Sequence, residues 1–518
     1  MVHPLDMLSG DEVTKAAEIL RASGKMPDGS LFAHLVLHEP AKEDLARWKT
    51  GDPVDREVRA LIVPGPALHL VEAVVSVTAG EIREWREVHG MRPALLMTDA
   101  INAIFTTKEH PDYIAALAKR GITDLDNVQI DPWPAGVFGY AAEDERRIAR
   151  CISFLRADDT DNGYARPIEG VIVHFDMGRN EVIEVIDHGV TPLPPNRASY
   201  YAEDQPKLRT DLKPIHITQP DGPSFTVDGN FVEWQKWQFR ISFDPYEGLV
   251  LHQVAYDDDG RVRPILHRAS ISEMVVPYGD PGPVHGWKNA FDAGEWGLGR
   301  MTQPLTLGCD CLGEIRYFDA TLATETGDPW VIENAICMHE EDYGIQWKHV
   351  DLFGGRGEVR RSRRLVVSFI STVGNYEYGF FWYLYLDGNI QLEVKLTGIV
   401  SPMAITPGTQ PEYANVVAEG VAAPHHQHLF NARLDFDVDG PVNEIYEVEA
   451  ERVPAGPDNP WMNAFRPRAT RLERESEAQR DMNAATSRVW KVVNPEVRNG
   501  LGQPVAYKLV PTMSTPTM

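Results

Sequence analysis

Two histidines set two positions apart, His426 and His428, have the spacing in this 518-residue chain that points most directly to metal chemistry. Side chains at positions i and i+2 of an extended strand point to the same face, so both imidazoles can reach one metal ion. Two imidazoles alone bind a metal weakly, and the pair therefore predicts a metal site only if further ligands join it. His425 is predicted to point to the opposite face and not to be a ligand.

A tyrosine-rich segment, T-V-G-N-Y-E-Y at residues 372–378, lies about fifty positions upstream in an alternating apolar stretch. Tyrosine in a strand is ordinarily a packing residue. The alternation predicts one half-buried face that carries Tyr376, Tyr378, Tyr383 and Tyr385. On residue physics alone, Tyr376 would therefore be structural.

Together with the H-Q-H triplet at 426–428, this segment resembles the cofactor and copper motifs of the copper-containing amine oxidases of bacterial type, and the likeness runs along nearly the whole chain. The resemblance implies that copper and oxygen convert Tyr376 to topaquinone, with His426 and His428 as copper ligands. It also implies that Asn375 helps to hold the quinone ring and that the small Gly374 leaves the ring room to turn. The family has a third copper histidine downstream, whereas no histidine follows His428. The chain is therefore interpreted as C-terminally incomplete.

The sequence F-D-A-G-E at 291–295 resembles the family segment that carries the catalytic aspartate. Asp292 is thereby implied as the general base, which requires burial and a raised pKa; without the family it would be interpreted as a turn residue. Tyr278 matches the tyrosine that hydrogen-bonds the quinone oxygen. Ala290 stands where relatives often have an aromatic gate, which predicts a more open channel for a bulky or aromatic amine. The predicted substrate-binding residues are Ala290, Asp292, Gly374 and Asn375.

The function implied by this resemblance is oxidation of primary amines. The amine forms a Schiff base with topaquinone, Asp292 removes a proton, and hydrolysis releases the aldehyde; oxygen then restores the quinone, with ammonia and hydrogen peroxide as products. A homodimer is also implied. The alternative is a truncated, catalytically inactive homologue that lacks the third copper histidine and binds only a metal or a partner.

A second metal site is implied at Asp435 and the carbonyl of Phe436, which match part of a peripheral site for a hard cation, calcium or manganese. Solvated loop charges are the other interpretation of this acidic run.

Three of the four cysteines and one histidine occur as two short pairs, C-x-C at 309–311 and C-x-H at 337–339. Cys309, Cys311, Cys337 and His339 offer four possible zinc ligands. The resemblance implies instead a disulfide between Cys311 and Cys337, although a reducing cytosol disfavours disulfides.

The formal charge of −26 argues against a nucleic-acid partner, since phosphate binding needs a basic face. An acidic surface favours the approach of cations such as protonated amines. No apolar run has the length of a membrane span, and the first residues lack a signal-peptide pattern. A cytoplasmic protein without a membrane partner is expected.

The elements that must position these residues follow an α+β pattern. Ser9 is predicted to cap a first helix, strands are predicted at 31–37, 58–63 and 67–77, and a helix around 112–120 is followed by a hairpin over 171–186. Strands dominate after about residue 205, with one more helix predicted over 473–483. The fold class is therefore predicted as two small related α+β domains, 1–90 and 91–200, before a large antiparallel β-sandwich catalytic domain, 201–518, whose C-terminal part is missing.

Overall fold

The computed structural model describes residues 2–134, 136–205, 207–308, 310–511 and 514–518. The chain forms two compact units. The first comprises Met1–Pro223, Ser242–Leu249 and Ile271–Asn431, and the second comprises Ser224–Ile241, Val250–Ser270 and Ala432–Met518. All the residues predicted to carry the amine chemistry lie in the first unit.

The first α+β segment packs one helix on a four-stranded antiparallel sheet. Helix α1 (Gly10–Ala22) begins with a capping box, in which the Ser9 hydroxyl accepts from the Glu12 amide and the Glu12 carboxylate accepts from the Ser9 amide. Its buried face covers strands that are ordered in space as in sequence, with the short α2 (Lys42–Arg47) between the first two. The strands are β1 (Leu31–Leu37), β2 (Glu57–Val63), β3 (His69–Ser76) and β4 (Glu81–His89). The sequence predicted this helix and its cap.

The second α+β segment repeats the plan with two helices on four strands. They are α3 (Met97–Glu109), α4 (Pro111–Ala118), β5 (Val128–Pro134), β6 (Ile148–Leu155), β7 (Pro167–Asp176) and β8 (Glu181–Asp187). Their core packs Tyr113, Leu117 and Phe175. The sequence did not predict α3, because its buried positions are Asp99, Ala103 and Thr107 and its start has no side-chain cap. The buried face of α3 therefore lacks the apolar periodicity by which a helix is recognised in a sequence.

Strands make up most of the rest. The next are β9 (Phe225–Asp228), β10 (Phe231–Trp234), β11 (Trp237–Asp244), β12 (Gly248–Asp258), β13 (Arg261–Pro277) and β14 (Asn289–Phe291). The end of β13 pairs with β14 in the first unit. A five-stranded antiparallel sheet follows in the order of the chain: β15 (Arg316–Ala323), β16 (Pro329–Val350), β17 (Gly357–Val373), β18 (Tyr376–Tyr385) and β19 (Ile390–Gly398).

The last strands of the first unit form a small sheet, in the order β20, β22, β21. They are β20 (Met403–Ala404), β21 (Ala414–Ala418) and β22 (Val421–Pro424), and β23 (Leu429–Phe436) follows them. In the second unit, a four-stranded sheet covers an apolar cluster around Val438, Val492 and Val505. Its strands, in spatial order, are β25 (Phe465–Leu472), β24 (Glu444–Arg452), β26 (Val489–Arg498) and β27 (Pro504–Leu509).

Two local predictions are wrong. The helix expected over 473–483 is a single 3₁₀ turn, Glu475–Glu477, because residues 473–481 are all exposed and have no apolar face to bury. The four tyrosines of β18 do not share one face, because positions 376 and 378 are even-numbered and positions 383 and 385 are odd-numbered, and side chains alternate between the faces of a strand. The Tyr383 hydroxyl donates to Glu393, whereas Tyr376 and Tyr378 face the histidine pair.

The fold class is confirmed: two small α+β domains precede a large β-rich domain. The exact domain bounds stay predictions. None of the helices among the described residues is both long and apolar enough to cross a bilayer.

Candidate active site

Tyr376 is held at the first position of β18 by pairing on both sides. It lies opposite Val373 of β17 across a turn formed by Gly374 and Asn375, and opposite Gly398 of β19 on the other side. Gly374 has φ +59°, a conformation that favours glycine, and a Cβ there would meet open space. The ring of Tyr376 is thus attached to a backbone that is fixed on both sides.

Asn375 ties the turn to the segment after β19. Its side-chain amide donates to the Ile399 carbonyl at 2.5 Å, and the Ile399 amide donates to the Asn375 carbonyl at 2.7 Å. Two hydrogen bonds in opposite directions restrict the turn that precedes Tyr376.

The histidine pair lies in the extended connection between β22 and β23, alongside the end of β13. His426 forms an isolated antiparallel bridge with Tyr278, and the Gly279 amide donates to the His425 carbonyl at 2.8 Å. The ring centroids of His426 and His428 are 4.9 Å apart. The two imidazoles therefore converge as the sequence predicts, although the segment belongs to no regular strand.

The hydrogen bonds of His426 fix its tautomer. Its Nδ1 lies 2.8 Å from the Pro424 carbonyl, which can only accept, so Nδ1 carries the proton. Nε2 therefore has a lone pair and accepts from the Tyr376 hydroxyl at 2.9 Å. The Ser401 amide donates to the same hydroxyl oxygen at 3.0 Å. A nitrogen that can bind a metal thus points at the tyrosine predicted to be modified.

His428 is oriented by a second tyrosine. Its Nδ1 lies 3.2 Å from the Tyr378 hydroxyl, and Tyr378 is also hydrogen-bonded to Asp292. If the Tyr378 hydroxyl donates to the Asp292 carboxylate, its oxygen accepts from Nδ1 of His428, and Nε2 of His428 is then the acceptor. Both imidazoles present Nε2 in this arrangement, which fits a copper ion bound at this pair.

Asp292 begins a π-helical turn, Asp292–Trp296, directly after β14, and only 3% of its surface is exposed. Burial raises the pKa of Asp292 to about 7, the hydrogen bond from Tyr378 lowers it, and the charge of Glu273 raises it. A carboxylate whose pKa lies near neutrality has the acid–base balance of a general base. Burial also raises the pKa of the neighbouring Glu295 to about 8.

Tyr278 lies against both the histidine pair and Tyr376. Its ring stacks on His426 at 5.0 Å with 22° between the planes. Burial, together with the charge and the hydrogen bond of Tyr376, raises the pKa of Tyr278 well above its usual value. Tyr278 is therefore a neutral hydrogen-bond donor to the Tyr376 oxygen.

A cavity of about 280 Å³ opens between these groups and the second α+β segment. All four predicted substrate-binding residues line it, as do Tyr278 and Tyr376. The opposite wall was not predicted: it includes Leu96, Met97, Asp131, Trp133 and Tyr164. No local signal marks these residues, because they approach the site only through the tertiary fold.

The unpredicted wall contains a polar network. The Asp131 carboxylate accepts from Tyr164 at 2.9 Å and from Gln129 at 3.0 Å, and burial raises the pKa of Asp131. Buried Lys288 lies over the rings of Trp133 and Tyr278, at 5.4 and 5.9 Å from their centroids. Burial lowers the pKa of Lys288 to about 8.

The other predicted sites are less complete. Cys311 and Cys337 are not bonded to each other in the structure, and their sulfurs lie within 4.8 Å of each other and of a His339 ring nitrogen. Cys309, the fourth zinc ligand considered, lies outside the described residues. The bond between Cys311 and Cys337 stays a prediction.

Asp435 and Phe436 end β23 in the second unit, where Phe436 packs against Val438, Val492 and Val505. The two groups of three possible metal ligands found among the described residues do not include Asp435. A hard-cation site there also stays a prediction.

Three family models match this chain. Residues 226–518 match the copper amine oxidase enzyme domain, residues 98–204 the copper amine oxidase N3 domain, and residues 9–85 the AGAO-like N2 domain. The chain is 46% identical over 513 residues to a primary amine oxidase of Arthrobacter sp. (strain P1), covering 98% of this chain and 78% of that protein. It is also 46% identical over 514 residues to a histamine oxidase of Arthrobacter globiformis, covering 98% and 74%.

A solved structure shows the same fold. The copper-containing benzylamine oxidase from Hansenula polymorpha superposes with a TM-score of 0.89 at 29% identity, over 99% of this chain and 83% of that one. With the enzyme-domain match over more than half of its length, this chain belongs to the copper amine oxidase family.

Proposed function

We propose that this chain oxidises primary amines to aldehydes, using copper at His426 and His428 and topaquinone formed from Tyr376. The overall reaction balances as R-CH2-NH2 + O2 + H2O → R-CHO + NH3 + H2O2. One observation carries the proposal: the Tyr376 hydroxyl donates to a metal-competent nitrogen of His426, and both Tyr376 and the buried Asp292 line one cavity.

The proposed chemistry is divided between the cofactors and the residues of the chain. When bound, copper and the quinone provide the redox chemistry and an electrophilic carbonyl for the amine nitrogen. The residues of this chain bind the amine, exclude water and move its proton. The Nε2 atoms of the two histidines would hold the copper, and Tyr376 lies beside His426 at the wall of the cavity.

Asp292 is the proposed base. Its carboxylate takes the proton from the carbon next to the substrate nitrogen, and its pKa near 7 lets it hold that proton and later release it. Tyr278 donates a hydrogen bond to the oxygen of residue 376, and Asn375 restricts the turn that carries it.

The cavity favours amines with an apolar body. Its polar lining consists of the groups at the reactive end together with Asp131, Tyr164 and Arg300, and the rest of its wall is aliphatic and aromatic. By the family resemblance, the small Ala290 stands where an aromatic gate is often found. We therefore include bulky or aromatic primary amines in the proposed substrate class.

Three further parts of the proposal rest on the family resemblance. They are a homodimer, a hard-cation site at Asp435 and Phe436, and a disulfide between Cys311 and Cys337. A cytoplasmic location is proposed from the sequence alone.

The test is formation of the quinone. The copper-free protein is given Cu2+ under oxygen and titrated with phenylhydrazine while the visible spectrum is recorded. We expect a quinone band that converts to a hydrazone in the wild type and no band in Tyr376→Phe. Tyr383→Phe is the matched control, because it removes a hydroxyl from the same strand on the opposite face, and it should form the band normally.

A wild-type protein that binds copper and stays colourless would contradict the proposal. It would instead support the alternative function, a homologue that binds metal without catalysis.

A further inference from the structure

We propose that His69, Glu87 and His89 bind a divalent late transition-metal ion, such as Zn2+, on the sheet of the first α+β segment. This site shares no residue with the proposed copper centre. It is independent of the proposed amine oxidation.

The strand register brings the three side chains together. In the antiparallel pair β3–β4, His69 lies directly opposite His89, and Glu87 precedes His89 by two positions. Residues directly opposite each other, and residues two apart on one strand, share a face of the sheet. All three side chains are therefore held on one face by a hydrogen-bonded ladder.

The ligand atoms are close to metal-binding distances. Oε2 of Glu87 lies 3.7 Å from Nε2 of His69 and 3.8 Å from Nε2 of His89. One ligand atom from each residue falls within 4.8 Å of the other two. Ligand atoms around a tetrahedral zinc ion with bonds of about 2.0–2.1 Å are separated by roughly 3.3–3.5 Å. Small side-chain rotations would close the difference.

Two features of this arrangement call for a ligand. Nε2 of His69 is buried and has no hydrogen-bond partner among the described residues. The rings of His69 and His89 stack at 4.9 Å with 15° between their planes, so both imidazoles crowd the same carboxylate without a hydrogen bond to it. A cation between them would satisfy the buried nitrogen and both neighbours.

The donor set selects the class of metal. Two imidazoles with one carboxylate suit zinc, copper and nickel, whereas calcium and magnesium require oxygen ligands. Three protein ligands leave at least one coordination position for water. An exchangeable ion is therefore expected, rather than the closed coordination of a four-ligand structural site.

The experiment is zinc titration of the full chain by calorimetry in a His426→Ala/His428→Ala/Cys311→Ser background, which removes the other histidine pair and breaks up the group of Cys311, Cys337 and His339. We expect one zinc ion bound per chain in this background, with affinity reduced by roughly tenfold or more in His89→Ala and in Glu87→Gln. X-ray absorption of the zinc complex should show two imidazole ligands together with oxygen ligands.

The control is His38→Ala. His38 also pairs with a carboxylate in the same sheet, with Nδ1 2.9 Å from Glu57, but this pair does not belong to the groups of three possible ligands. This variant should bind zinc as the background does. Since His89 is 73% exposed along its side chain, its replacement should not unfold the domain. Unchanged zinc stoichiometry and affinity in both His89→Ala and Glu87→Gln would overturn the proposal.

Discussion

Asp292 shows how a single buried residue links catalysis to pH. Its proposed role as a base requires the ionised form, and burial holds its pKa at about 7. We expect kcat/KM for a primary amine to rise with pH through about 7, as the carboxyl group loses its proton. A pH–rate profile of the reconstituted enzyme measures this. A profile that is flat from about pH 5.5 to 8 would contradict the assignment.

The same burial should lower stability. The pKa of this carboxyl group is higher in the folded protein than in the unfolded chain. Its contribution to stability is therefore fully present when the pH is below the unfolded-state pKa, and it is lost as the pH rises through about 7. Asp292→Asn removes this loss. We expect the copper-free variant to have a higher free energy of unfolding than the wild type above about pH 7, by at most about 4 kcal/mol, while turnover is abolished.

Urea unfolding at two pH values checks the expectation, because the advantage of the variant should shrink toward about pH 4. Equal stability of the two proteins at both values would show that the carboxyl group is solvated.

The residues of the site were predictable where a contiguous motif marks them. Tyr278, Asp292, Asn375 and Tyr376 were named from sequence, and all four line one cavity. The opposite wall could not be predicted in this way. Asp131 and Tyr164 meet through a hydrogen bond across 33 positions, and neither lies in a pattern that differs from ordinary strand and turn sequence.

At the scale of elements, the position of Tyr376 depends on close packing between β18 and β19. A Cβ at Gly398 would lie 2.7 Å from the Glu377 amide nitrogen and 2.8 Å from the Asn375 carbonyl oxygen, and its φ is +86°. Gly398→Ala must therefore push β19 away from the turn that carries the tyrosine. We expect reduced stability and slow or absent quinone formation, measured by thermal unfolding and by the phenylhydrazine titration.

Gly408→Ala is the control for backbone strain. Gly408 has nearly the same φ, +85°, but a Cβ at this position would have no atom within 4 Å. The substitution should cost about 1 kcal/mol of stability and leave quinone formation intact. If Gly398→Ala and Gly408→Ala had equal effects on stability and on quinone formation, the contact of β19 with the turn would not be needed to position Tyr376.

Elements were predicted best where local signals and tertiary packing agree. The capping box and apolar face of α1 both point to the helix that forms. Helix α3 forms despite weak local signals, because tertiary contacts outweigh its polar pattern. The opposite error occurred over 473–483, where good helix-forming residues have no surface to pack against.

At the scale of the whole molecule, the formal charge of −26 should attract cationic amines. Salt screens this attraction over about 10 Å at 0.1 M. We expect kcat/KM for a cationic amine to fall as salt is raised from about 0.02 to about 0.2 M, with little change in kcat. The rate of reaction with uncharged phenylhydrazine should stay constant over the same range. An equal response of both reagents would point to a general salt effect on the protein.

The two walls of the cavity come from separate stretches of the chain. Residues between 276 and 376 supply the cavity groups of the proposed chemistry, Tyr278, Asp292, Asn375 and Tyr376, whereas residues between 95 and 164 supply only surface that a substrate would touch. Substitutions in the earlier stretch can therefore change which amine is accepted without disturbing how the cofactor is made. We therefore expect the choice of amine and the formation of the proposed cofactor to respond to substitutions in different stretches of the chain.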